Sequence, residues 1–463
     1  MNQSPSKKPK KKSVARRFKL IASAFIFSLY FQGLGLYFYI TGLINFKPTW
    51  LTAAYQIFLL ATFLLIVLSI HDSRKNFSTI GFIELAYIAF FIIVSFDLQT
   101  PSSPGAIIPE NVFIYFIVYS ISLALGRALI FEQLTLVCYF TNFISVITSI
   151  LLVLQFLIGS SSFLVGRLFI GSSGNPILAG YVGAYAFITS IILLGKSKSL
   201  LVRLIFIGAS LPGLIVALLS GTRSSLIFIS VCIAIGSLIS LIIKLKAYLY
   251  SSGRSLMKPN TGLIFCFNTS IIILIIIFFA PVFPTDNPVL SSIFGTAFDR
   301  TDQLFLIGSE QVKDNSLLER YSFYEQAIQN FTDSPMFGRG IYSSGYVHNS
   351  FLQSASDFGM IGVVTFTLPF LYLGYQVFTI LKKNIFERNF DYFTSDHWMI
   401  NTFSGVILIE AMCISSFHGD LYRSAIPLCI LGILIAVSRL NTASTIKKSK
   451  KLTFLPNENQ QFD

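Results

Sequence analysis

Residues Leu204–Ile243 read LIFIGASLPGLIVALLSGTRSSLIFISVCIAIGSLISLII, and Arg223 is the one charged side chain among these forty. A helix that crosses a bilayer needs roughly 20 mainly apolar residues. The stretch holds two such runs, 202–220 and 224–243, joined by the tight connection Ser220-Gly-Thr-Arg-Ser-Ser225. Outward from it the pattern repeats in both directions. Further runs lie at 20–43, 51–70, 79–97, 111–127, 134–158, 175–195, 262–281, 350–381, 399–416 and 422–439, which makes twelve candidate spans. Hydrophobic residues are 54% of the chain and charged residues 12%, about half the quarter usual in soluble domains. The fold class predicted is an all-α polytopic membrane protein. Its parts are a basic tail at 1–19, spans 1–9 within 20–281, one long loop at 282–349, spans 10–12 within 350–439, and a second tail at 440–463.

The net charge is +13, and its placement argues against nucleic acid as a partner. Lys7, Lys8, Lys10, Lys11, Lys12, Arg16, Arg17 and Lys19 precede the first span, and Lys447, Lys448, Lys450 and Lys451 follow the last. Such juxtamembrane clusters suit anionic lipid and the cytoplasmic side. With the N-terminus inside, the loops alternate so that 26 of the 34 basic residues are cytoplasmic and both termini lie inside. The apolar run after residue 19 is too long for a cleaved signal. The five cysteines (Cys138, Cys232, Cys266, Cys413 and Cys429) all fall in spans, with no metal or disulfide pattern.

The loop 282–349 lies outside on this topology and carries eight acids against four bases. A loop this long without structure is uncommon unless functional. Ser316 and Glu319 make a capping-box pattern. Leu317, Leu318, Tyr321, Tyr324, Ile328 and Phe331 then recur at helical spacing. This amphipathic helix would lie on the membrane face or pack onto the bundle. Pro335 and the glycines of Met336-Phe-Gly-Arg-Gly340 end it.

Three outward arginines are candidates for an anion site. Arg167 lies in Gly166-Arg-Leu-Phe-Ile-Gly171, ahead of Ser172-Ser-Gly-Asn-Pro176. Arg223 lies between its two spans, and Arg339 between Gly338 and Gly340. Arginine is costly at membrane depth, and its rigid fork suits phosphate oxygens. The plainer reading of each one alone is a headgroup anchor or ion-pair partner. His348, in Gly345-Tyr-Val-His-Asn-Ser-Phe-Leu-Gln353, starts the tenth span, and an imidazole suits proton transfer near neutral pH. His418 and Asp420, in Ser415-Ser-Phe-His-Gly-Asp-Leu-Tyr-Arg423, form a second outward polar patch or a plain turn. Glu84, Glu132 and Glu410 fall near or within spans. They would suit a proton relay in a transporter, but they are scattered. There is no P-loop, no dinucleotide fingerprint and no zinc-protease motif.

Taken in order, these residues resemble the signature of the bacterial O-antigen ligase and polymerase superfamily. The similar runs are Arg320 to Gly340, Val347-His-Asn-Ser-Phe-Leu-Gln353 and Asp357-Phe-Gly-Met-Ile-Gly362. Ser220–Ser225 is similar to its small-residue arginine motif, and Arg167 with Asn175 and Pro176 to its earlier arginine element. The resemblance spans residues from about 160 to 365. It implies a metal-independent membrane glycosyltransferase of the bacterial inner membrane, without a cofactor. The donor would be a glycan on undecaprenyl pyrophosphate, and the acceptor a glycan or a lipid-linked group. The residue roles implied are pyrophosphate binding for Arg167 and Arg223, a place near acceptor and leaving group for His348, and a place beside it for Arg339. Ligases and repeat-unit polymerases share these motifs. A secondary transporter or flippase is the reading from another class, but no repeated halves are visible.

Overall fold

A computed structural model describes residues 14–33, 36–37, 39–40, 49–78, 121–158, 163–164, 167–168, 176–197, 199–250, 315–345, 347–387, 395–417 and 429–440. The described residues are overwhelmingly helical, because a backbone in hydrocarbon must satisfy its polar groups within its own segment. In chain order the helices are α1 (Val14–Gln32), α2 (Thr49–Leu68), α3 (His71–Ser78), α4 (121–128), α5 (Phe131–Leu157), α6 (Pro176–Lys196), α7 (Leu200–Leu219), α8 (Arg223–Tyr250), α9 (Asn315–Asp333), α10 (Ser350–Glu387), α11 (Asp396–Phe417) and α12 (Cys429–Leu440). Six of these, α5 to α8, α10 and α11, are long and apolar enough to cross a membrane, and Ala54–Leu68 and Cys429–Leu440 are shorter apolar helices. The chain is therefore a polytopic membrane protein. The expected spans at 79–97 and 262–281, the first parts of 111–127 and 422–439, the loop up to 314, and residues 1–13 and 441–463 of the tails lie outside the described residues.

The apolar stretch 134–195 divides into α5 and α6 as expected. Between them is a departure from all-helix: a two-residue antiparallel ribbon, β1 (Phe163–Leu164) with β2 (Arg167–Leu168), pairing Leu164 with Arg167. The first helix also begins earlier than residue 20, so Arg16, Arg17 and Lys19 ride on its first turns. Continuous helix satisfies their backbone, while long basic side chains reach the interface.

Polar bonds gather several helices at one end of the bundle. Arg16 pairs with Asp72 at 2.9 Å, Lys196 pairs with Asp396, and Arg439 donates to the Asn76 carbonyl at 3.3 Å. Gln133 donates to Ser23 at 2.7 Å and accepts from Ser73 at 3.0 Å. All of these residues fall on the side expected to be cytoplasmic, and together they tie α1, α3, α5, α6, α11 and α12 at one level.

Packing rests on small residues, since lipid offers no hydrophobic drive between helices. A side chain on Gly183 would meet the Gly213 carbonyl at 2.5 Å, and one on Gly213 the Gly183 carbonyl at 2.6 Å, so α6 and α7 touch backbone to backbone. The other flank of α7 faces lipid, with Leu200, Leu201, Leu204, Ile205 and Leu211 exposed. The main core joins Phe27 and Phe31 of α1, Phe63 of α2, Tyr185 of α6, Phe403 and Ile407 of α11 and the whole inner length of α12. Glu410 of α11 is fully buried and accepts a hydrogen bond from Tyr185, which is why a carboxyl is tolerated there.

Beyond the bundle helices, α9 forms where the helical spacing predicted it, yet three residues of the apolar stripe face outward. Leu318, Tyr321 and Ile328 are exposed, whereas Ala327 and Asn330 are buried and Arg320, Phe323 and Tyr324 half-buried. Of the two placements open for the stripe, packing onto the bundle is thus excluded for these three residues. The inward face is set instead by polar bonding to the loop that follows.

Candidate functional site

The arginine elements come together through their backbones. Leu168, next to Arg167 on β2, is fully buried among Leu152, Ala179, Val216 and Leu219, so the ribbon is clamped between α6 and α7. Four residues after Leu219 comes Arg223, the first residue of α8. The connection between them is held by its small side chains. Thr222 Oγ1 donates to the Pro176 carbonyl at 3.0 Å, which joins the Asn-Pro element to the arginine turn. Ser220 Oγ donates to the Ala217 carbonyl and accepts from the Thr222 backbone N–H at 3.2 Å. Ser225 Oγ donates back to the Thr222 carbonyl at 2.8 Å. Gly180 of α6 lies against this turn, where a side chain would meet Ser220 and Ser225 at 2.7 Å. Gly221 takes a left-handed φ of 57°. Small residues are thus required on both sides for the turn to sit this low. The first turn of α8 presents free backbone N–H groups and a positive dipole end, which together favour an anion.

The second element is the loop from 334 to 349, docked onto a break in α10. Gly359 has φ 62° and ψ −148°, so α10 is two helices, 350–358 and 360–387. The break frees backbone groups, and the loop takes them. Arg339 N–H bonds the Ser356 carbonyl at 2.9 Å, Gly340 N–H the Asp357 carbonyl at 2.9 Å, and Met360 N–H the Pro335 carbonyl at 2.7 Å. A side chain on Gly338, at φ 69°, would run into the Asp357 backbone, and one on Gly359 would meet Met336 at 2.5 Å. Asp357, fully buried, accepts the Tyr342 N–H at 3.0 Å and the Ser343 hydroxyl at 3.2 Å. Asn330 of α9 donates to Ser343 at 3.2 Å and Ser344 at 2.7 Å, and Ser344 shares a hydrogen bond with Ser356 at 2.5 Å. The acid-x-Pro-x-x-Gly-x-Gly turn and the Asp-x-Gly run are therefore two halves of one interlocked structure.

His348 stands at the end of that loop, half-buried, with a left-handed φ of 58°. Asn349 is the cap of α10: its Oδ1 accepts the N–H groups of Phe351 and Leu352, both at 3.0 Å. This gives the His-Asn pair a physical meaning, because the cap fixes the helix start and the left-handed residue before it aims the imidazole. Burial pushes the imidazole down to about 4, helped by the nearby positive charge of Arg320. Arg320 was legible only as the head of the helix. The structure adds it to the site as the cation facing His348. Tyr324, one turn further along α9, is raised by burial against the opposing pull of the same Arg320. Arg339, by contrast, is half-exposed, and its guanidinium pairs with Asp333 at 2.8 Å. It lies on the rim of the loop. His418 and Asp420 lie outside the described residues.

Thus the backbones of Arg167 and Arg223 share one corner of α6, α7 and α8, while Arg339 and His348 share the loop on α10. The two elements are connected through helix contacts between α8 and α10. Ile341 and Phe351, from the loop and the first turn of α10, pack with the main core. Sequence reasoning also passed over Gln353. It is fully buried in the first half of α10, and neither amide atom has a hydrogen-bond partner in the structure.

Comparison with known proteins gives one family and no relative: no curated protein matches the chain. Residues 208–367, which run from α7 through Arg223, α9, Arg339 and His348 into α10 past Asp357, match the family model described as O-antigen ligase. That segment, about a third of the chain, is what is similar to the O-antigen ligase family.

Proposed function

We propose that the chain is a glycosyltransferase that moves a glycan from undecaprenyl pyrophosphate to an acceptor at the outer face of a bacterial inner membrane, in the manner of an O-antigen ligase. The observation that carries this reading is the joining of the Arg167 and Arg223 elements at one corner by the Thr222–Pro176 bond. Both arginines, with the N-terminus of α8, would hold the pyrophosphate. The acceptor hydroxyl oxygen attacks the anomeric carbon, and the bond from that carbon to the phosphate oxygen breaks. The pyrophosphate leaves with the electron pair, and the acceptor proton passes to the neutral imidazole of His348. Fixed cations in a low-dielectric site stabilise the charge developing on the leaving group, and one such contact is commonly worth ~2.7–4 kcal/mol of barrier. General-base help from the histidine is worth roughly 10²–10⁴-fold. The chemistry asks for no metal in this reading.

A repeat-unit polymerase is the second reading. It differs in the acceptor, which would be another lipid-linked chain. Transfer from a lipid-linked donor by the purified protein tests the activity. Arg223→Ala and His348→Ala are expected to lose at least about a hundredfold in rate at equal abundance, and normal turnover in both would refute the assignment. Accumulated full-length lipid-linked chains in a deletion strain indicate a ligase, and a single-unit band with no long chains a polymerase.

A further inference from the structure

At the start of α10 the polar side chains Asn349, Ser356 and Asp357 each have a hydrogen bond. Asn349 caps the helix, Ser356 bonds within the serine cluster, and Asp357 holds Tyr342 and Ser343. Gln353 differs from them. Its residue is 0% exposed, and both Nε2 and Oε1 are without partners. On a helix, residues three and four apart share a face, so Gln353 lies on the face of Ser356 and Asp357, against which the loop docks, and one turn from the cap that follows His348. Leaving a buried amide unbonded is unfavourable, because its desolvation is not compensated. The loop above it is strained as well: Tyr342 and His348 both hold left-handed backbone, at φ 55° and 58°. Such strain is found where loops serve function.

We propose that Gln353 is a substrate-contacting residue, whose carboxamide takes a sugar hydroxyl when the loop from 334 to 348 lifts to admit the glycan; this rests on the glycosyltransferase reading above. The chemistry of the group sets the ligand class. A carboxamide offers two N–H donors and a carbonyl acceptor on a neutral frame. A phosphate would use the donors and leave the acceptor idle. A hydroxyl both donates and accepts, so a polyhydroxy ligand satisfies the whole group. The arginine corner therefore holds the charged end of the donor, and Gln353 holds a ring beside His348.

Gln353→Met tests this in the full-length protein, since methionine keeps the unbranched shape and removes the polar atoms. The melting temperature without ligand should rise, because an unpaired amide is lost from the interior. The kcat/KM for a lipid-linked glycan extracted from a deletion strain should fall roughly tenfold, the loss of one hydrogen bond. The thermal shift given by the same glycan should shrink with it. Gln353→Asn keeps the amide but draws it back by one methylene. It should lose activity without gaining stability. Wild-type kinetics in Gln353→Met overturn the proposal, whatever the melting temperature does. A Gln353→Met protein less stable than wild type also overturns it, since that outcome means that the amide is bonded at rest. If wild type neither binds nor transfers the glycan, the glycosyltransferase reading falls and takes the proposal with it. If wild type transfers the glycan and Gln353→Met does so equally well, the proposal for Gln353 falls alone and the glycosyltransferase reading stands.

Discussion

The imidazole of His348 is the site's most exacting residue. Burial and the Arg320 charge hold it near 4, below the ordinary value of 6.5. It is therefore neutral across the range in which transfer would run. If neutral imidazole is the acting form, the rate should stay level as pH falls through 6.5 and drop only towards about 4. Arg320→Gln should move that limb upward, and a pH–rate profile of both proteins checks it. The same shift affects folding with the sign of a depressed group. The unfolded chain binds this proton near 6.5 and the folded chain only near 4, so the stabilisation is full above the higher value and lost as pH falls towards the lower. At this scale the sequence was partly legible. His348 and the arginines stand out because charge is rare in an apolar chain. Gln353 and Asp357 do not, because their roles come from burial and from a docked loop that no spacing rule reveals. The pairing of Arg339 with Asp333 is equally a product of the turn.

The break in α10 decides how the site is built. A glycine at φ 62° ends one helix and starts another, and the loop pairs with the groups so released. Gly359→Val should disrupt both, through left-handed strain of about 1–3 kcal/mol and a clash with Met336. The check is a lowered melting temperature in detergent, with transfer lost even in the folded fraction. Helix α9 shows what an apolar stripe alone leaves open about facing. Leu318, Tyr321 and Ile328 are at helical spacing, but Asn330 has three serine partners on the other side. Those bonds turn the helix and leave the apolar residues outward, where an interfacial membrane surface suits them. The ribbon at Arg167 was invisible for another reason. Two residues of strand have no periodicity to detect.

For the whole molecule, long apolar runs made the membrane class plain, because hydrocarbon permits few folds. Their number and sense are a matter of charge placement. Both termini are expected inside, with the loop after α8's next span outside. Reporter fusions at residues beyond 440 and at about 320 should read opposite compartments, and the same compartment for both would require another count of spans. The last helix adds a constraint of another kind. A side chain on Gly432 of α12 would strike the backbone of Leu123, and one on Gly126 of α4 would meet the Cys429 carbonyl at 2.8 Å. Two glycines, some three hundred positions apart in the chain, thus let an early and a much later helix touch. A ribosome makes the first of these long before the second exists. Until α12 is made, α4 lacks the helix that Gly126 lets it touch, and the core to which α12 contributes is incomplete. Completion of this part of the bundle therefore waits on a segment made some three hundred residues later.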